Sequence, residues 1–291
     1  MGGLYFQKEI PFSNIYFTGI VRDNQGRKMS KSLGNSPDPL DLIDKYGADA
    51  LRVGLLLIAP QGSDILYSED KILHGRNFMN KLWNSARFIL MNTNNFDEKL
   101  PSENALHITD RWIISKLHAT IANVEKSYEH YKLNEVIKTI YEFVYDCFCD
   151  WYIEFVKTRF YGGQKNEKLI AEAVTIYILK NILKLMHPFT PFITEEIWNY
   201  VDNLNKEMLI NTQPTKKDIS KINAQIEKEM TLIMETISAI RNIKASLNVP
   251  PGKTVDLFVR GPKGQIVVIE NNIILLNRMA KVKKLNQVEQ L

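Results

Sequence analysis

The sequence predicts a mainly α-helical protein: a helix bundle, preceded by a short strand-and-loop segment and followed by a small α/β module. Three observations carry this. Apolar residues recur at spacings of three and four through most of residues 68–201. That stretch falls into four long segments and one short one, with Pro101, Gly162-Gly163 and Pro188 among the breaks. The segments read as strands lie towards the two ends. Long amphipathic segments with such breaks make a bundle the default architecture.

In order along the chain, residues 10–19 end in a β-branched and aromatic run read as a buried strand. Asp23-Asn24-Gln25-Gly26 is a turn, because Asp and Asn bond their own backbone and Gly accepts positive φ. The basic loop 27–32 follows, then Leu33-Gly34-Asn35 and Ser36-Pro37-Asp38-Pro39. The prolines fit a helix start, and Asp38, Asp41 and Asp44 favour its N-terminal end through the dipole. Gly47 breaks this helix and Asp49 opens a second, running to Ala59. Ser68 is the N-cap of the next, with Glu69 and Asp70 in its first turn; it reaches Met91.

Thr109 and Asp110 start a further helix, whose stripe is Ile113, Leu117, Ile121, Val124 and Tyr128. Leu133, Ile137, Ile140, Val144, Cys147, Phe148, Trp151, Tyr152 and Phe155 mark the third long segment, ended by Gly162-Gly163. The fourth spans 166–186 and stops at His187-Pro188, as expected before a proline. A short fifth lies within Pro191–Val201, with Phe192 and Trp198 read as core. After Gln213-Pro214 the character changes: 217–247 is charged and helical, and Pro250-Pro251-Gly252 punctuates. Val255–Val259 is then a strand, 261–264 a turn, 269–279 a helix and 281–284 the start of another strand. These strands are too few for a complete sheet. The expected division is 1–60, 61–215 and 216–291.

A length of 291 residues admits two modest domains, and 45% apolar with 24% charged residues is ordinary for a globular chain with a large core. No apolar run approaches the roughly 20 residues of a membrane span, and the N-terminus lacks the pattern of a secretory signal. No membrane association is expected. The formal charge of +4 is compatible with a polyanionic partner. Cys147 and Cys149 stand two apart on a helix and face different directions, so they read as reduced core thiols. The five histidines show no metal-ligand spacing, so no metal site is expected. A reducing, cytoplasmic setting follows.

The chemistry lies in Lys28-Met29-Ser30-Lys31-Ser32, two ammonium groups three residues apart on a loop with two hydroxyls. When ATP reacts with a carboxylate to form an acyl-adenylate, negative charge builds on the departing β- and γ-phosphates. A lysine-bearing loop closing over those oxygens stabilises that charge, and hydroxyls and loop amides add hydrogen bonds. Alone, such a pentapeptide reads as a solvated surface loop. Its surroundings reverse that reading, because 33–39 and 46–52 continue in the pattern that follows this loop in class I synthetases.

Phe17-Thr18-Gly19, Arg22-Asp23 and 26–35 resemble the end of the nucleotide-binding domain of class Ia aminoacyl-tRNA synthetases, which charge valine, isoleucine, leucine and methionine. Asn77-Phe78, Asn80-Lys81-Leu82-Trp83-Asn84 and Ala86-Arg87-Phe88 are most similar to the valyl-tRNA synthetase family. Asp110-Arg111-Trp112-Ile113, Cys149-Asp150-Trp151-Tyr152, 186–198, Ile240-Arg241-Asn242-Ile243 and Asn248-Val249-Pro250-Pro251 continue the resemblance.

The resemblance implies the end of a Rossmann-type catalytic domain, an anticodon-binding bundle, and a small module leading towards a coiled coil. It implies ATP, valine and Mg²⁺ as substrates and cofactor, tRNA(Val) as partner, and a monomer. Lys28 and Lys31 would bind the ATP phosphates, with Lys31 the leading candidate and Met29, Ser30 and Ser32 shaping the loop. The helix through Asn77 and Phe88 would face the anticodon: Lys81 for phosphate or base edges, Asn77 and Asn84 for bases, and Phe88 either a stacking platform or core. The family's His-x-Gly-His, valine pocket, editing insertion and coiled coil do not occur in these residues. The expectation is therefore a piece of the enzyme that folds, holds no tightly bound cofactor and does not activate valine alone. Leu4-Tyr5-Phe6-Gln7 is native sequence or a protease-tag remnant. The rival readings are an isoleucyl-tRNA synthetase fragment and a non-catalytic tRNA-binding module.

Overall fold

The computed structural model describes residues 2–59, 62–94, 99–162, 164–201, 207–212 and 216–288. Gly163, Gln213 and Pro214, read above as breaks, lie outside the described residues. Most of the described chain is helical, and one continuous apolar core runs from Val53 through the bundle to Val282. The mainly α expectation holds.

The N-terminal segment departs from expectation. Residues 10–19 form no strand, and Ile15 and Phe17 are 66% and 76% exposed. The pairing comes later and is short: β1 (Val21–Arg22) lies parallel to β2 (Ile65–Leu66) as a two-stranded sheet. Among the described residues no third strand flanks it, so the apolar run has no sheet face to bury against.

Helix α1 (Pro39–Tyr46) starts as its sequence dictates. Asp38 is extended and its carboxylate accepts the Leu40 N–H at 2.8 Å, while Pro39 supplies a pre-set φ. Gly47, at φ 91°, turns the chain into α2 (Ala48–Leu57). Helix α3 (Glu69–Asn92) crosses α2 very closely. Ser68 occupies its N-cap position, but the hydroxyl makes no capping bond. At Gly54 an added Cβ would lie 2.8 Å from the Ile72 Cα, and at Gly75 only 2.3 Å from the Ala50 carbonyl oxygen. Two backbones meet here because neither residue has a side chain. Gly75→Ala must push them apart, and we expect a loss of roughly 1–3 kcal/mol, the usual cost of overpacking, in urea denaturation. An unchanged midpoint would show that the helices slide freely.

The bundle continues with α4 (Ile108–Glu129), α5 (Leu133–Glu142), α6 (Ile153–Gly162), α7 (Lys165–Met186) and α8 (Pro191–Val201). A π-helical stretch, Phe143–Tyr152, joins α5 to α6, so the single helix expected there is one rod with a widened middle. Its last turn shows the wider spacing: the Ile153 N–H reaches the Phe148 carbonyl, five residues back. The widening buries Phe143, Val144, Phe148, Cys149 and Tyr152 together. Cys149 is buried and Cys147 half-buried; both are free, and burial pushes each thiol up to about 11. On α8 the buried stripe is Thr194, Ile197, Trp198 and Val201. Trp198 is core as read, but Phe192 is 67% exposed, because two residues before Thr194 is the far side of the helix.

The C-terminal helix begins later than 217. Asp218 and Asn223 each cap a turn, so a 3₁₀ turn (Ile219–Lys221) precedes α9 (Ala224–Ser246). Ser115 on α4 donates to Glu227 at 2.5 Å and accepts the Asn223 N–H at 2.8 Å. His118 accepts the Asp218 N–H on Nδ1, which leaves its proton on Nε2, 3.1 Å from the Tyr177 hydroxyl. Strand β3 (Val255–Val259) pairs in parallel with β4 (Val282–Gln287), with an irregularity after Val255. The helix expected over 269–279 is two, α10 (Lys263–Asn271) and α11 (Ile273–Ala280), parted at Asn272, whose amide turns back to the Val268 carbonyl. No helix among the described residues is long and apolar enough to cross a membrane.

Candidate functional site

The lysine loop is built around a carboxylate that does not itself face solvent. Asp23, 6% exposed, follows β1 and accepts from the backbone of Gln25 and Arg27, from the Arg27 guanidinium and from the Asn35 amide at 2.9 Å. The Asn35 bond foremost, with those from Arg27 and Gln25, holds the Asp23 carboxyl well below the usual carboxylate range. Asn35 in turn accepts the Ser30 N–H at 2.9 Å, so the two ends of the loop are pinned to one point. Ser30 is extended and its hydroxyl caps the 3₁₀ turn Lys31–Leu33, while Gly34 at φ 64° closes that turn. Lys28 bridges back to Arg22, and the Met29 N–H bonds Val21.

This frame leaves Lys28 and Lys31 exposed, with no ion pair among the described residues. Ser30 and Ser32 lie side by side, their hydroxyls 3.1 Å apart. The loop thus presents two free cations and two hydroxyls from a fixed scaffold. Asp23 and Asn35 set its shape. Sequence reasoning gave Asp23 a turn and a place in the family resemblance but no role in holding the loop; the available signal was an acid and an amide bracketing the loop twelve residues apart.

The second candidate surface is α3. Asn77 and Asn84 are exposed, and with Lys81 and Phe88 they fall at helical spacing along one side. Lys81 is not free. Its ammonium lies 2.5 Å from the Asp150 carboxylate and 3.1 Å from the centre of the Tyr145 ring. Phe88 is half-buried against Phe160, with ring centres 5.8 Å apart, and Lys157 stands over its ring. One face is therefore packed into the core. Beyond it, Trp83, Arg87, Leu90, Met91, Ile197 and Tyr200 line a groove of about 230 Å³ between α3 and α8. Its two aromatic side chains and one guanidinium were not singled out as contacts from sequence.

Loop and bundle are joined by α2. Asp49 accepts the Ile193 N–H at 2.7 Å, at the start of α8, and Arg52 donates to the carbonyls of Pro188 and Phe189 at the end of α7. One helix face clamps both sides of the α7–α8 corner, each charge facing the complementary helix end. Burial raises the Asp49 carboxyl despite these bonds. Among the described residues no group of three or more His, Cys, Asp or Glu side chains could hold a metal.

Residues 110–259 match the family described as the anticodon-binding domain of tRNA ligase, and residues 1–68 match tRNA synthetases class I (I, L, M and V). The valine–tRNA ligase of Fusobacterium nucleatum subsp. nucleatum is 41% identical over 291 residues, covering 98% of this chain and 33% of that protein. That of Geobacillus kaustophilus is 41% identical over 266 residues, covering 91% and 30%. The chain spans about a third of the length of these curated relatives. Among solved structures, the ternary complex of Agrobacterium radiobacter K84 agnB2 LeuRS with tRNA and LeuAMS superposes with a TM-score of 0.56 at 21% identity, covering 71% of this chain and 24% of that one. Mycobacterium tuberculosis methionyl-tRNA synthetase with methionyl-adenylate gives 0.51 at 21% identity, covering 71% and 40%. These two likenesses bear on the fold alone.

Proposed function

The chain belongs to the tRNA ligases of class I, and from that premise we propose that it serves in valine–tRNA ligase, supplying the ATP-phosphate loop and a tRNA-facing helical surface. The observation that carries the reading is the conjunction of about 40% identity to valine–tRNA ligases over nearly the whole chain with a loop whose two lysines are held out unpaired. In the reaction, the valine carboxylate attacks the α-phosphorus of ATP and pyrophosphate leaves. A hydroxyl of the 3′-terminal adenosine of tRNA(Val) then attacks the valyl carbonyl and AMP leaves. Lys28 and Lys31 neutralise charge on the departing phosphates, and Ser30 and Ser32 add hydrogen bonds. Mg²⁺ would share the phosphate charge when bound. We assign residues 1–60 to the catalytic domain, 61–215 to the bundle and 216–291 to the small module, acting as a cytoplasmic monomer. The 291 residues alone are proposed not to activate valine.

On α3, Asn77, Lys81 and Asn84 are the proposed anticodon contacts, with the open face of Phe88 beside them. Because Lys81 is held by Asp150, RNA must exchange one anion for another there. The 291-residue chain should bind tRNA(Val), with affinity falling steeply as salt rises. Lys81→Ala should weaken binding and reduce the salt slope by about one phosphate contact. Asp150→Asn, which releases the lysine, should tighten it. Electrophoretic mobility shift across a salt series measures all three. Absence of binding at low salt would sink the tRNA reading, and preference for an isoleucine anticodon stem-loop would move the specificity.

A further inference from the structure

The net charge of the chain is not spread evenly. Residues 241–288 carry nine lysines and arginines against two acids, Asp256 and Glu270, whereas residues 1–240 carry 28 against 30. The whole positive excess therefore lies in the small C-terminal module. Its two strands place part of that charge on one surface. On β3, Val255 and Leu257 pack towards the core, while Asp256, Phe258 and, just past the strand, Arg260 are exposed. That is the alternation of a sheet with one covered face. On β4, Val282 and Leu285 turn inward although they stand three apart and not two. The irregularity in the pairing allows this. Val282 lies opposite Val255 and Lys284 opposite Asp256, so Lys283 has no partner on β3 and bulges. Lys283 and Lys284 are both exposed as a result.

Phe258 stands in the middle of this outer face. It is 55% exposed, and Asn286 lies directly opposite it on β4. Asp256 and Arg260 flank it along β3, and Lys284 sits diagonally across. Arg260, Lys283 and Lys284 make no ion pair or side-chain hydrogen bond among the described residues, and the Asp256 carboxylate and Asn286 amide are equally unengaged there. An open aromatic ring among free cations gives a nucleobase a stacking face and its phosphates counter-charges. The Asn286 amide adds a donor and an acceptor for a base edge. An acidic peptide would use the cations but not the ring, and Asp256 within the face opposes it. The sheet packs on α11, which rests on α9 and α6, whereas α3 packs on α2, α7, α8 and the π-helical stretch. The two surfaces thus stand on different elements. We infer that the outer face of the β3–β4 sheet is a second RNA surface. An unpaired nucleotide of tRNA, outside the anticodon loop, stacks on Phe258 with the neighbouring phosphates on Arg260, Lys283 and Lys284. This assignment rests on the tRNA-binding reading given above.

The test measures binding of tRNA(Val) and, separately, of its anticodon stem-loop to the 291-residue chain and its variants by mobility shift. Phe258→Ala should weaken binding of the whole tRNA about tenfold with an unchanged salt slope. Phe258→Tyr keeps the ring and should bind as the wild type does. Phe258→Leu keeps only apolar bulk and should lose as much as Phe258→Ala. Lys284→Ala and Arg260→Ala should each lower the salt slope by about one. The stem-loop should bind all of these variants alike, and whole tRNA should protect amides in 255–260 and 282–287 from hydrogen exchange. Equal whole-tRNA affinity across the Phe258 variants, or protection confined to α3, would overturn the sheet surface and leave the α3 reading intact. A loss shared by the stem-loop would also overturn it, since the face would then belong to the anticodon site. Self-association of the wild type that Phe258→Ala abolishes, with tRNA affinity unchanged, would give the face to a second copy of the chain. Binding of neither RNA by the wild type would remove the tRNA reading and this surface with it. Phe258 lies outside the core, so the variants should keep the wild-type circular dichroism and thermal midpoint, which excludes loss of fold as the cause.

Discussion

Replacing Asp110 by Asn should cost the protein about 3–5 kcal/mol of folding stability, the range typical of breaking a buried ion pair. Asp110 is fully buried at the start of α4, where it completes a capping box by accepting the His107 N–H at 3.1 Å. Its two oxygens also receive Arg159 Nη1 at 2.7 and 2.8 Å, and one accepts the Tyr152 hydroxyl at 2.9 Å. Arg159 is itself only 6% exposed and its other amino group reaches the Glu167 carbonyl. The amide keeps the shape but removes the charge, leaving a guanidinium enclosed without a counterion and presenting an NH₂ where an acceptor is needed. Urea denaturation should show a lower midpoint with an unchanged slope. Arg159→Met should also destabilise, and the Asp110→Asn/Arg159→Met pair should recover much of the loss, because the two effects share one cause. A single-variant loss under about 1 kcal/mol would mean that water reaches the pair and screens it.

That network shows how far the sequence could be read. Thr109 and Asp110 were legible as a helix start, since an acid in a first turn is a local signal. Arg159 and Tyr152, over forty residues away, were legible only as part of an apolar stripe. Helical periodicity places a residue on a face; it does not say which two faces meet. The same reason explains the pairing of Lys81 with the exposed Asp150 and the clamp of Asp49 and Arg52 on the α7–α8 corner. Phe192 was misread because an aromatic beside a buried helix looks like core until the helix is rotated into place. Residues 10–19 show the opposite failure, where strand-forming composition meets no neighbouring strand. The loop was the most legible part, because its chemistry is written in consecutive residues. Its support was less so, because Asp23 and Asn35 act through the fold.

The loop and its support should separate in their effects. Lys31→Ala in valine–tRNA ligase should slow valine-dependent pyrophosphate exchange by about 10²–10³-fold, the usual loss for one donor aimed at developing charge. Lys28→Ala should cost less, since the bridge to Arg22 holds its backbone further from the tip of the loop. Asp23→Ala removes no group that could touch ATP, yet Arg27, Asn35 and through it Ser30 lose their common anchor. Its effect should be smaller than that of Lys31→Ala and should fall mainly on the Michaelis constant for ATP, with faster hydrogen exchange over 27–35. The pH dependence follows from the depressed Asp23 carboxyl. A group whose folded pKa lies below its unfolded value stabilises above the unfolded value and loses that contribution as pH falls through the folded one. Loop protection should therefore stay constant from neutral pH down to the ordinary carboxylate range, then fall progressively and be lost completely only well below it. Asp23→Asn, which cannot titrate, should show weaker protection with no such transition. Protection lost completely within the ordinary carboxylate range, with no further fall below it, would show that Asp23 is not the anchor. In that case the two lysines would be presented by a loop with no fixed shape, and their closure over ATP would have to be ordered by the nucleotide itself.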